Sequence, residues 1–187
     1  MEIHFKTVGT VTLGYGCGEG NSREACECDF IDADGTEYVV KQSINGRGRV
    51  NNLFEYKIYQ HSIGTEYEKY YPIFKDITSD GKYLLVEKCV TALDTHEDEY
   101  DDVYDAECML EGDPFGLFPD FMHHDLTAYN WGYTAKDTRP VIFDLGWSSD
   151  DLSSAAFEVG VPKEDVNELI AMEESSRHDR GHCNEDC

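Results

Sequence analysis

Basic residues are scarce in this chain. It carries 15 Lys and Arg against 39 Asp and Glu, a formal net charge of −24, and the sequence pI is near 4.4. The acidic residues are spread along the sequence instead of being confined to a tail, which argues against binding nucleic acid through a general basic surface. Long apolar runs are missing too: none approaches the roughly 18 residues that a membrane span needs. The first residues, MEIHFKTVGT, show no basic segment followed by an apolar stretch, so no signal peptide is expected. Seven cysteines are an odd number, which does not suggest a closed disulfide set. The expectation is a cytoplasmic monomer with reduced thiols and no membrane partner. Internal repeats and low-complexity blocks are absent, and 187 residues suit one domain or two small lobes sharing an interface.

Two readings of the acidity compete. A dispersed excess of carboxylates suits a solvated surface in a high-salt cytoplasm, where self-repulsion is screened. Alternatively, the carboxylates mimic phosphates and block a basic site on a partner. A mimic needs ordered carboxylate rows, and no period is visible in them, so salt adaptation is the preferred reading.

What is present begins with strands. KTVGTVTLGYG is followed by the glycine-rich loop GYGCGEGNS, and then by REACECDFIDADGTEYVVKQS, in which DADG marks a hairpin turn between β-branched and aromatic runs. In GRGRVNNLFEYKIYQHSIG, Gly46 and Gly48 are expected to end the strand and Asn51 or Asn52 to cap a helix. Val50, Phe54 and Ile58 then recur at helical spacing up to Gly64. YYPIFKDIT and KYLLVEKCV read as two more strands joined by SDGK. The expected result is a five-stranded sheet with one inserted helix.

Beyond Ala92 the chain turns acidic and helical, in THEDEYDDVYDAECML, and EGDPFGLFPDF supplies apolar anchors. A lobe boundary is expected near Thr91, dividing the chain into 1–91 and 92–187. NWGYTA and RPVIFDLGW suggest a short hairpin closed by KDTR, and Pro162 starts a last helix before a polar tail. Trp131 and Trp147 are read as core, and Cys26 and Cys28 as packing or edge residues on one strand face. His178, His182, Cys183 and Cys187 in the tail are competent zinc ligands, but their spacing matches no structural zinc pattern, and a disordered tail is the preferred reading.

The stretch HHDLTAYN holds Asp125 and Asn130, five apart, and FDLG places Asp144 fourteen residues further on. This spacing resembles the catalytic loop and metal-binding turn of the protein-kinase-like superfamily. Upstream, in the family's order, come GYGCGEG, Lys41 in YVVK and Glu55 in LFEYKIY. Each motif alone has a plainer reading, such as a loop, a strand end or an Asx turn; their joint occurrence in order is what carries the resemblance. It implies an α+β, two-lobed kinase-like fold with a five-stranded ATP-binding sheet and an αC-like helix in 1–91, and a reduced helical lobe in 92–187.

The resemblance also implies roles. Phosphoryl transfer needs positioned phosphates, neutralised charge and an oriented acceptor. Gly14, Gly16 and Gly18 would fold over the phosphates, and Lys41 would pair with them while held by Glu55. Asn130 and Asp144 would bind Mg²⁺, and Asp125 would orient the acceptor hydroxyl. The backbone from Glu87 to Cys89 would meet the adenine of ATP. The implied activity is ATP-dependent phosphorylation, with protein Ser/Thr hydroxyls ahead of a small-molecule acceptor. The rivals are a pseudokinase or host-directed inhibitory binding protein, and a purely structural acidic protein.

The pattern departs from the family in several places. The resemblance covers roughly residues 8–147, and the glycines read G-x-G-x-G-x-G. His124 stands where regulated protein kinases have arginine, and Thr127 where Ser/Thr kinases have lysine. Only forty residues follow DLGW, with no Ala-Pro-Glu stretch and no room for the usual large-lobe helices. The compact form resembles minimal kinase-like proteins of viruses and microbes, and HxDLxxxN also occurs in aminoglycoside-type phosphotransferases. The acidity points to a halophile or its virus, which would place a viral protein in host cytoplasm.

Overall fold

The computed structural model describes residues 1–20, 22–91 and 130–144. The expected acidic helix, the Pro162 helix, the tail cluster and Asp125 with its neighbours His124 and Thr127 lie outside them, as does Trp147.

A six-stranded antiparallel sheet dominates, in the order β1-β2-β3-β4-β6-β5. Its strands are β1 (Glu2–Phe5), β2 (Gly9–Glu19), β3 (Arg23–Ile31), β4 (Glu37–Ser43), β5 (Phe74–Ile77) and β6 (Tyr83–Glu87). The helix α1 (Gly46–Ser62) enters between β4 and β5 and packs on β4, β5 and β6. A second sheet joins β7 (Cys89–Thr91), β8 (Trp131–Thr134) and β9 (Pro140–Ile142), the last two forming the expected hairpin. This sheet links residues on both sides of the expected boundary at Thr91. No described helix is long and apolar enough to cross a membrane.

Strand β1 makes the sheet six-stranded, where the sequence suggested five. Only four residues long, it pairs Ile3 with Val11 and buries Ile3 and Phe5. Those two side chains join Val11, Tyr38, Val40 and Leu85 in one apolar cluster, so alternation over a short strand is enough to complete that face. The glycine-rich stretch differs from expectation as well. It is strand, within β2, and register shifts interrupt its pairing with β3 between Leu13 and Gly16 and between Gly16 and Gly18. Glycine in a strand interior often marks such irregularities.

The DADG turn behaves as its chemistry demands. Gly35 has a φ of 87°, a region that side chains disfavour. The Asp34 carboxylate accepts from the backbone N–H and hydroxyl of Thr36, at 3.1 and 2.8 Å.

The cap of helix α1 lies six or seven residues before the expected Asn51 or Asn52. Asn45 is the N-cap, in extended conformation, and its side chain accepts from the Gly48 N–H at 3.0 Å. Gly46 and Gly48 therefore belong to the first helical turn. A Cβ on Gly48 would land on the Ser22 carbonyl oxygen, well inside van der Waals contact, and 3.0 Å from the Ser43 Cβ. Glycine here lets the helix start against the beginning of β3. Asn51 and Asn52, instead of capping, are buried inside the helix.

Candidate functional site

Cross-strand pairing sets the site. In an antiparallel ladder, directly opposed residues share a sheet face, and alternate residues return to it. Lys41 opposes Ala25 and Ser43 opposes Arg23, so Lys41 and Arg23 lie on one face, the face that α1 covers. On the helix, Val50, Phe54 and Ile58 make the apolar contact, while Glu55 is fully buried among them.

Four charged groups meet there. Lys41 Nζ donates to Glu55 Oε2 at 2.8 Å, and Arg23 Nη1 pairs with Glu55 Oε1, also at 2.8 Å. Arg23 Nη2 donates to Asp144 Oδ1, and Lys41 Nζ donates to the Phe143 carbonyl. Two cations and two carboxylates thus balance in a largely buried cluster. Its open member is Asp144, whose side chain is 38% exposed against 8% for Arg23 and 0% for Glu55. Burial would raise the Asp144 carboxyl, but Arg23 and Lys41 overcome it and hold the group below its ordinary range. Burial would also weaken the Arg23 charge, yet Glu55 and Asp144 reverse that and hold its proton more tightly still.

Asn52 braces the cluster from α1. Its amide donates to the Lys41 and Gly81 carbonyls, at 3.2 and 2.9 Å, and its oxygen accepts from Arg23 Nη1 at 3.4 Å. Removing this buried amide would take one donor from each of the two carbonyls.

The hairpin β8–β9 brings Asn130 next to Asp144. Trp131 pairs with Ile142, so the residues just outside that pair are neighbours. The Asn130 carbonyl accepts from the Phe143 N–H at 3.0 Å and the Asp144 N–H at 3.4 Å. Trp131 is fully buried, as its position beside a strand suggested.

At the end of β6, Glu87 is buried and its Oε2 accepts from the Ile73 N–H at 3.0 Å and lies 3.3 Å from Arg139 Nη2. Burial raises its carboxyl above the ordinary range despite those partners. Arg139 Nη1 also donates to the Lys69 and Tyr71 carbonyls, which ties the end of the hairpin turn to the segment leading into β5. The backbone N–H groups of Glu87 and Lys88 are both used inside the protein, by the Ile73 and Glu37 carbonyls. The Cys89 thiol donates to the Glu87 carbonyl and is pushed up to about 12, chiefly by burial.

Gly14, Gly16 and Gly18 are exposed along β2. A Cβ on Gly18 would make only an ordinary 3.6 Å contact with the Ala25 Cβ, and one on Gly14 would sit 3.4 Å from Glu27. On Gly16 it would meet the mobile end of the Glu24 side chain. The fold itself does not demand glycine at Gly18.

Of the residues singled out from sequence, Lys41, Glu55 and Asp144 are brought into one cluster, with Asn130 alongside. Arg23 and Asn52 were missed as members. The available signal was that Arg23 is a lone cation in the acidic strand REACECDFI, in a chain where basic residues are few.

Asp144 and Asn130 offer oxygen ligands of the type Mg²⁺ takes. Among the described residues no group of three or more His, Cys, Asp and Glu side chains forms a metal cage. The donor types fit, although Arg23 occupies one Asp144 oxygen.

No protein-family model matches the chain, and no curated protein does. Among solved structures it is similar to vaccinia related kinase 3, at 15% identity and a TM-score of 0.46, covering 79% of this chain and 50% of that one. It therefore spans half the length of that structure. It is also similar to the Mycobacterium tuberculosis PknI kinase domain, at 16% identity and a TM-score of 0.44, covering 89% of this chain and 70% of that one. The choline kinase LicA from Streptococcus pneumoniae follows at 13% identity and a TM-score of 0.38, with coverages of 86% and 74%.

Proposed function

We propose that the chain is a kinase-like phosphotransferase that moves the terminal phosphoryl group of ATP to a hydroxyl, first of all a protein Ser or Thr. The observation that carries the reading is the buried Lys41–Glu55 pair at 2.8 Å, joined through Arg23 to Asp144. An ammonium held by a buried carboxylate is fixed in place, and the third Lys41 donor can then meet a phosphate oxygen. Gly18, for which the fold has no need, permits close backbone approach on the same sheet face. Asp144, kept ionised, and Asn130 would hold Mg²⁺, which neutralises charge on the phosphates when bound. Asp125 keeps the role that the sequence resemblance gives it, orienting the acceptor hydroxyl.

A second reading, a pseudokinase that binds without transferring phosphate, has one observation in its favour: the Asp144 carboxylate is paired with Arg23. Calorimetric titration with Mg-ATP beside a transfer assay with labelled ATP in high salt separates the two. In the transferase, Asp144→Asn weakens Mg-ATP binding about tenfold or more. Asp125→Asn leaves binding within a few-fold and lowers transfer by roughly a hundredfold. Wild type that binds Mg-ATP without labelling any acceptor establishes the pseudokinase, and wild type that binds none refutes both.

A further inference from the structure

We infer that Arg23 is a built-in cation that competes with a divalent metal for Asp144, so that a metal ion takes the Oδ1 atom only when the guanidinium leaves it. This deepens the proposed function and rests on its assignment of Asp144 as a metal ligand.

On Asp144 Oδ1 the two occupants exclude each other. Arg23 Nη2 donates directly to Asp144 Oδ1. A Mg²⁺ ion sits about 2.1 Å from a ligating oxygen, so on that atom it would press a double positive charge against a fixed single one. Arg23 cannot drift aside while its other arm is held, because Nη1 bonds Glu55 Oε1 at 2.8 Å and Asn52 Oδ1 at 3.4 Å. Asn52 is itself fixed by the Lys41 and Gly81 carbonyls. A planar fork can bridge two carboxylates in this way, whereas a lysine ammonium acts as one point charge.

Charge balance points the same way. Lys41, Glu55 and Asp144 alone would carry one net negative charge and attract a dication. With Arg23 these four groups sum to zero, and their share of that attraction is removed. The position of Arg23 depends on Gly48, whose missing Cβ lets α1 start against Ser22 and the Arg23 side chain. Asp144, the exposed member, is where an incoming ion would arrive.

The test uses Mn²⁺ alone, without nucleotide, counted on the full chain by electron paramagnetic resonance in high KCl. Arg23→Gln removes the charge but keeps a donor for Glu55. It should bind Mn²⁺ roughly tenfold or more tightly than wild type, the order of effect expected from deleting an adjacent like charge in a poorly solvated site. The gain should vanish in the Arg23→Gln/Asp144→Asn double variant, which separates the site from Mn²⁺ scattered over an acidic surface. Equal or weaker binding by Arg23→Gln overturns the inference, and so does a gain that survives loss of Asp144. If Asp144→Asn weakens Mn²⁺ binding while Arg23→Gln does not strengthen it, the competition is refuted and the metal assignment stands.

Should Arg23→Gln fail to fold, nitrogen-15 spectra of wild type decide. Arg23 Nε–H must shift on addition of Mg²⁺, and an unmoved resonance overturns the inference. With no ATP present, absence of phosphoryl transfer has no bearing on either result.

Discussion

Glu55→Gln is the sharpest probe of how fold and site depend on each other. Glu55 is fully buried and takes two cations, Lys41 and Arg23, each at 2.8 Å. At an effective dielectric constant near 20, each contact is worth roughly 6 kcal/mol before desolvation is counted. Desolvation cancels much of that, so the pair adds little relative to an apolar replacement; removing one charge alone is a different matter. Among the described residues, glutamine leaves Arg23 with Asp144 alone as ion-pair partner and Lys41 with none. Its amide can accept from one of them but turns an N–H₂ toward the other. The expected loss is about 3–5 kcal/mol, the usual scale for breaking a buried ion pair from one side. Urea unfolding should show the midpoint fall with the slope unchanged, since the surface exposed on unfolding stays the same. A loss below about 1 kcal/mol would mean that the cluster is open to water and screened like a surface pair. That result would remove the argument for a rigidly held Lys41.

Three further outcomes are expected. Gly48→Ala should cost about 2–4 kcal/mol, because its Cβ meets backbone at Ser22 instead of a side chain that could move, and thermal melts measure this directly. Asp144 titrates below its ordinary 3.8 in the folded state, so its contribution to stability is full above that pH and is lost as pH falls through the lower folded value. Melting temperatures of wild type and Asp144→Asn should therefore converge on acidification below about pH 4, and a constant gap refutes the ion pairing. With a net charge of −24, the melting temperature should climb between about 0.1 and 2 M KCl as the Debye length falls toward roughly 3 Å; a flat or falling curve would favour the phosphate-mimic reading.

Much of the sheet was legible because strands and turns are local. DADG and SDGK lie where glycine must take a positive φ, at Gly35 and Gly81, and the runs on either side alternate or are continuously apolar. What failed was local as well, but ambiguous. GYGCGEG looks like a loop because glycine lowers strand propensity, whereas pairing with β3 holds it as an irregular strand. GRGR looks like the end of a strand because glycine and arginine carry no apolar period. Only the position of Ser22 explains why glycine belongs inside the first helical turn. The strand β1 went unread because four residues give too little alternation to stand out.

The site divides along the same line. Lys41 and Glu55 could be named from order along the chain, because one is carried by a strand and the other by the helix that covers it. Arg23 could not be named in that way. Its membership depends on the β3–β4 register, on the bare backbone of Gly48 and on the β8–β9 hairpin returning Asp144 to the sheet, and none of these is a spacing. By the proposed competition, a cation placed there, in a chain with so few of them, lowers metal affinity. The neutral cluster therefore reads as a setting of the site's charge, and the Mn²⁺ affinity of Arg23→Gln measures how far that setting has been moved.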